Sequence, residues 1–142
     1  MVTSKKDRLI IFNKFGGRCA YCGCNLEKGW HVDEVLPVRR GFEYIKDDNG
    51  RRIWDSSIGS HGDYKKKATC EHPERFNLDN QMPACASCNI NKHSGSLEDF
   101  RQLIQGFKKH LNEISTQYKI SKRYGLVVEV DKPVVFYFET IT

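Results

Sequence analysis

Four of the six cysteines of this chain fall into two pairs of identical spacing, Cys19-x-x-Cys22 and Cys85-x-x-Cys88. Four thiolates in two such pairs suit a tetrahedral Zn2+, at about 2.3 Å each. A site closed by four sulfurs leaves no position for substrate, so its role is structural. Gly23 follows the first pair, and its missing side chain lets backbone N–H groups turn in toward the sulfurs. Two unrelated buried pairs, or two disulfides, are the other readings, although a reduced cytosolic chain seldom keeps disulfides. Cys24 and Cys70 lie outside the pairs and read as small semi-buried thiols, with Cys24 close enough to Cys22 to compete for metal.

A second set of residues offers oxygen rather than sulfur. Asp33 brings a carboxylate from a short strand, and Asn89, one residue past the second pair, brings an amide oxygen from a helix. Such donors suit Mg2+ or Mn2+, with waters filling the remaining positions. Hydrolysing a phosphodiester needs a metal to neutralise charge on the scissile phosphate and the leaving 3′ oxygen, together with a base to take a proton from water. Glu34 adjoins Asp33. A carboxylate is about two pKa units weaker as a base than an imidazole, and it can instead serve as a second metal ligand. The other readings are a substituting histidine or an impaired site. His31 shares the strand face of Asp33, while His61, His72 and His93 lie where a loop or helix could bring them in; His110 reads as surface.

The order CxxC, strand ending in Asp-x-[IV]-x-Pro, then Asn-x-x-Pro-x-Cys-x-x-Cys-Asn-x-x-Lys resembles the HNH endonucleases that carry a structural zinc, especially short phage-type members. It covers roughly Asp7 to Arg101 and rests on both cysteine pairs, Asp33, Pro37, Asn80, Asn89 and Lys92. The resemblance implies an α+β fold with a ββα-metal core, a catalytic ion held at Asp33 and Asn89, an Asn80 that orients the general base, and cleavage of DNA by nicking or by a double-strand cut. The family usually has histidine where this chain has Glu34. A zinc-stabilised DNA- or protein-binding module that has kept the fold and lost hydrolysis is the alternative that this glutamate keeps open.

These residues must be positioned by recognisable elements. Ser4 to Phe15 reads as a helix, with Ser4 and Asp7 at capping-box spacing and Leu9, Phe12 and Phe15 at helical intervals. Trp30 to Pro37 reads as the first strand, Leu78 to Pro83 as the strand pairing back on it, and Cys85 to Lys92 as a turn entering a short helix. Between them lies an insertion at about 40–75, with a hairpin expected from Phe42–Ile45 and Arg51–Trp54 around Asn49-Gly50. A long surface loop is expected after it. Ser96 to Tyr118 reads as one helix whose apolar stripe is core, and Val127–Val130 with Val134–Phe138 as a terminal β-hairpin. One domain is expected over 1–142, its core at about 18–95 and an extension at about 96–142.

Composition sets the remaining bounds. With 142 residues, 39% apolar and 29% charged, the chain can bury a modest core that a metal staple would help. No run of about 18 apolar residues exists and the first residues are polar, which argues against membrane insertion or secretion and for the cytoplasm, a bacterial host's if the chain is phage-encoded. Twenty-three Lys and Arg against 18 Asp and Glu give +5, a moderate lean toward a polyanion. The cations expected on DNA are Arg39, Arg40, Arg51, Arg52, Lys65, Lys66 and Lys67 in or beside the insertion, and Lys92 near the phosphate. Contacts of this kind give affinity without sequence preference.

Overall fold

The computed structural model describes residues 2–141. It is a mixed α and β structure of small antiparallel sheets and helices. Helix α1 (Lys5–Asn13) starts at Ser4, whose hydroxyl accepts from the Asp7 amide at 3.1 Å. Its buried face is Ile11, with Phe12 packed on Trp30, whereas Leu9 of the expected stripe stays exposed. Lys14 then reaches across to the carbonyls of Leu78 and Gln81 (2.8 Å to the latter), which fixes the helix on the strand that follows them.

Strand β1 (His31–Glu34) pairs antiparallel with a later strand, Gln81–Ala84, in a register that sets Asp33 opposite Met82. Between these two partners the chain makes an excursion. Strand β2 (Arg40–Tyr44) runs out, a turn at Asp47–Gly50 closes on a bridge between Lys46 and Arg52, and β3 (Trp54–Asp55) pairs with β4 (Asp63–Tyr64). Strand β5 (Lys66–Cys70) then returns along β2 for its whole length. The tight turn is where the sequence predicts it, but the long partner of β2 is β5, and the stretch expected to be a loop supplies β4 and β5. Pairing β2 with the distant strand satisfies five residues of backbone on each side, which the short Arg51–Ile53 segment could not do.

A 3-10 turn at Pro73–Arg75 leads into β6, the Gln81–Ala84 strand, and then helix α2 (Ala86–Lys92). Helix α3 (Leu97–Ile114) opens with a complete capping box between Ser96 and Asp99. The single long helix expected from the sequence is broken at Ser115, which closes α3 in an extended conformation (φ −97°, ψ 105°) and caps α4 (Thr116–Arg123) with its hydroxyl on the Tyr118 amide. The apolar stripe of α3 is core only near its start. Phe100 is buried, Leu97 and Ile104 pack against the core, and Leu103, Phe107, Leu111 and Ile114 remain substantially exposed.

The core itself is aromatic. Tyr21 stands edge-on to Phe100 and Phe136 (ring centroids 5.5 and 5.4 Å apart), while those two rings stack at 5.6 Å. Cys19 and Ala84 complete this buried cluster. The C-terminal β-hairpin is absent among the described residues. The segment is extended, as its β-branched residues favour, and the chain is anchored just past it: Tyr137 and Phe138, the first residues of the short helix α5 (Tyr137–Thr140), donate to the carbonyls of Tyr21 and Ala20. Arg101 holds the same segment through Glu139 (2.6 Å) and the Val134 carbonyl. No helix among the described residues is long and apolar enough to cross a membrane.

Upstream, Glu129 fastens the segment to both α3 and α4, accepting from Asn112, Lys122 at 3.0 Å and Tyr118 at 3.0 Å. The Asn112 amide first, and then the Lys122 ammonium, pull the Glu129 carboxyl down to about 2 from an ordinary 4.5. A carboxyl whose folded pKa is depressed contributes stability that is present above its unfolded pKa and lost as pH falls through the folded one. Acidification from about 4.5 to about 2 should therefore release this segment, read as a rise in pepsin cleavage at 127–135. Glu129→Gln should flatten that pH dependence, and an unchanged profile in the variant would show that another group holds the segment.

Candidate metal centre and carboxylate cleft

The sulfurs of Cys19, Cys22, Cys85 and Cys88 lie within 4.8 Å of one another, and all six cysteines are free. The Sγ atoms of Cys22 and Cys85, 63 positions apart in the chain, stand 3.8 Å apart. Ligands about 2.3 Å from a shared tetrahedral centre are separated by about 3.8 Å, so the cluster fits Zn2+. Local backbone chemistry assists. The Cys88 thiol's hydrogen bond pulls the Cys19 thiol well below its ordinary range against the cost of burial, and the N–H groups of Cys22, Cys85 and Tyr21 add to the effect. Cys85 caps α2 with its sulfur, which accepts from the Cys88 amide at 3.5 Å. Gly23 turns the chain at φ +74°, and a Cβ there would meet the Tyr137 ring at 3.0 Å.

Tyr21, which sequence reasoning passed over, joins this cluster to the second site. Its backbone sits between two sulfur ligands, its ring is core, and its hydroxyl donates to Asp33 Oδ2. Burial first, and then the Asp33 carboxylate, push the Tyr21 pKa up, so it stays a donor. Its position inside the first CxxC was the available signal: a large ring held by two metal ligands must point into the core or onto the neighbouring strand.

Asp33 is 6% exposed, and Lys92 Nζ meets the same Oδ2 at 3.0 Å while donating to the Glu34 carbonyl at 3.0 Å. Burial raises the Asp33 carboxyl above the usual range, with Tyr21 and Lys92 pulling the other way. Lys92, expected at a phosphate, is instead buried: its side chain is fully enclosed and serves as the counter-charge to Asp33. Apolar surroundings cannot leave an ionised carboxylate unpaired, and the last turn of α2 is where a lysine stem can reach it.

A cleft of about 590 Å3 brings together Asp33, Glu34, Arg39, Arg40, Asn89 and His93. Both bonds to Asp33 fall on Oδ2, leaving Oδ1 and the Asn89 amide as the two oxygen donors, enough for an ion of the Mg2+ type that keeps most of its waters. Glu34 is paired with Arg40, whose two guanidinium nitrogens donate to its two oxygens at 2.5 and 3.1 Å. Arg39 and His93 both hold positive φ, 51° and 53°, and conformations of that cost persist where surrounding structure enforces them. His31, expected as the nearest substitute base, is exposed and outside this lining, and His93 takes its place. Asn80 does not touch Glu34. Its amide clasps Leu36, accepting from the N–H and donating to the carbonyl, each at 2.8 Å, and so fixes the chain just after β1.

The other expected DNA contacts lie outward. Arg51 is exposed at the turn, Arg52 stacks over Tyr44 at 4.0 Å, Lys65 and Lys66 pair with Asp55 (3.6 Å) and Asp63 (2.6 Å), and Lys67 is exposed on β5 opposite Glu43. A cavity of about 1060 Å3 forms a groove between α3 and the C-terminal segment, lined mainly by aliphatic side chains and the Lys108–Asp131 pair.

Two outcomes follow. Protein prepared without added metal should contain one zinc per chain by elemental analysis, and Cys85→Ala should melt well below the parent; a folded, equally stable variant would refute a structural site. Lys92→Met should lower the free energy of unfolding by about 3 kcal/mol, since it strands a buried carboxylate, and Asp33→Asn in the same chain should return much of that loss. Simple addition of the two single losses in the double variant would show that the pair is not coupled. Comparison with protein-family models, curated proteins and solved structures finds no match, so the reading of this site rests on its own geometry and chemistry.

Proposed function

We propose that this chain is a divalent-metal-dependent endonuclease of the HNH type, hydrolysing phosphodiester bonds in DNA. The observation that carries the reading is one cleft in which Asp33 and Asn89 offer hard oxygen donors while Arg39 and Arg40 offer charge for a phosphate. Support also comes from the way the donors are held: strand β1, its partner β6 and helix α2 follow the order expected of a ββα-metal unit, with the sulfur cluster at their junction.

Mg2+ or Mn2+ bound at Asp33 and Asn89 would neutralise charge on the scissile phosphate and the leaving 3′ oxygen. The chain's own residues do the rest. Tyr21 and Lys92 lock the Asp33 carboxylate in one orientation. Arg40, 46% exposed at its side chain, holds the 15% exposed Glu34 carboxylate bidentately, and an incoming phosphate competes for that guanidinium with charge-assisted hydrogen bonds of the same kind. Glu34, freed of its partner, then accepts the proton of the attacking water, and substrate entry and activation of the base become one event. The free cysteines suit a reducing compartment such as the cytoplasm.

One observation favours a second reading, a zinc-stabilised binding module without hydrolysis. Both acidic groups of the cleft already have cationic partners, Lys92 on Asp33 and Arg40 on Glu34. Initial rates of plasmid nicking with Mg2+ and with Mn2+ separate the two. Wild type should nick, Asp33→Asn and Glu34→Ala should each lose at least about a hundredfold, the scale of general-base catalysis, and Glu34→His should raise the rate at neutral pH. His31→Ala should match wild type. Loss in His93→Ala with full activity in Glu34→Ala would move the base to His93, and inert wild type with either metal would favour the binding module.

A further inference from the structure

The excursion between β1 and β6 presents one face that the cleft chemistry does not use. Alternation along β2 puts Arg40, Phe42 and Tyr44 on the same side, opposite Cys70, Ala68 and Lys66 of β5. Tyr64 and Trp54 continue that face outward. The four rings form one row, with centroids 5.4 Å apart from Phe42 to Tyr44, 6.0 Å from Tyr44 to Tyr64 and 5.1 Å from Tyr64 to Trp54, each pair edge to face. A row that served only to hold the arm together would hide its largest rings. Here the end members are the most open, Phe42 at 55% and Trp54 at 53% exposed. Trp54 is nonetheless held in place: Gly62 (φ +77°) passes so close that a Cβ would meet the indole at 2.6 Å.

Cations are interleaved with these rings. Lys66 Nζ lies 5.0 Å from the Phe42 centroid, and the Arg52 guanidinium lies 4.0 Å over Tyr44, on a ring rather than on a carboxylate. Beside them a shallow cavity of about 580 Å3 is bounded by Phe42, Glu43, Tyr44, Lys46 and Arg52 with the Gly50 turn, two cations against one carboxylate. Open aromatic faces alternating with cations, Lys66 among them although it also pairs with Asp63 at 2.6 Å, match a ligand that alternates flat apolar rings with negative charges. Unpaired nucleotides have that alternation, whereas a duplex keeps its base faces inside the stack. The row also adjoins the carboxylate cleft, because Arg40 is at once the first residue of β2 and part of the cleft lining.

We infer that the β2–β5 arm is a platform for single-stranded DNA, on which Phe42 and Trp54 stack bases while Arg52 and Lys66 meet phosphates, so that the nuclease proposed above takes substrates with an unpaired strand beside the scissile bond. The inference rests on that proposal for its substrate claim and on the arm alone for binding.

Binding is read by anisotropy of a labelled oligothymidylate of about 12 nucleotides and of a blunt duplex of equal length, at one salt concentration and without added divalent metal. Wild type should hold the single strand more tightly, and its tryptophan emission should be quenched on binding. Phe42→Ala and Trp54→Ala should each weaken the single strand at least about fivefold, the lower end of one lost stacking contact, while Trp54→Phe should keep most of the affinity and lose most of the quench. Folding of each variant is checked by near-ultraviolet circular dichroism, and Trp54→Phe serves where Trp54→Ala does not fold. Equal or tighter duplex binding by wild type, or folded variants that bind as wild type does, would overturn the platform, as would sedimentation as a dimer that Trp54→Phe returns to monomer. A protein that cuts nothing with either metal yet shows these binding losses keeps the platform and sinks only the nuclease; one that nicks while the variants bind normally sinks the platform alone.

Discussion

Everything in this molecule depends on bringing two sulfur pairs, far apart in the chain, to one point. Closing so long a loop costs conformational entropy that a small core repays only in part, and a metal held by the four thiolates would supply the difference directly as folding free energy. Tyr21 carries the consequence inward. With Cys19 and Cys22 fixed on either side, its ring becomes the hub of the aromatic core and its hydroxyl reaches Asp33. Metal centre, core and cleft are therefore one mechanical unit, and loosening the sulfurs would move the carboxylate.

The cleft works under a constraint of charge. Asp33 is too deeply buried to stay ionised alone, and Lys92 from α2 and Tyr21 from the first sulfur pair both meet one of its oxygens. Replacing one partner of such a pair is costly, while replacing both with well-fitting apolar groups need not be, so a pair of this kind argues for specificity of arrangement more than for stability. Its effect here is geometric: it fixes the Asp33 carboxylate through one oxygen and ties β1 to α2. Glu34 is held differently, by both nitrogens of an arginine whose own side chain is half exposed.

The parts that were legible in the sequence are those whose signal is local or chemically exclusive. The paired cysteines announce their cluster because few other arrangements use that spacing. Ser4 with Asp7 and Ser96 with Asp99 mark helix starts because a cap is decided within four residues. The pairing of β1 with β6 could be read because Asp33 and Asn80 to Cys88 bracket it. What failed was partner choice at long range. The valine-rich C-terminal runs are extended as their type prefers, yet they are held by side chains of α3 and α4 on Glu129 and, just past them, by the Tyr21 backbone, not by each other. The same error of partner assigned β2 to its near neighbour rather than to β5. Lys92 was misread because a lysine after a metal knuckle looks like a phosphate contact until the burial of Asp33 is known, and burial is a tertiary fact.

Arg40 shows how the two halves of the molecule are coupled. It closes on Glu34 in the cleft, starts the strand that carries the aromatic row, and lies 5.5 Å from the Phe76 ring. On the proposed function, a phosphate entering from the arm would meet this guanidinium and would exchange one set of charge-assisted hydrogen bonds for another on a single arginine. Bidentate hydrogen bonds to an ionised partner are among the strong ones, so a partner of like charge and geometry is what could replace Glu34 on Arg40. On the proposed function, the control of Glu34 would then lie at the boundary between arm and cleft, where an incoming strand would supply the competing charge.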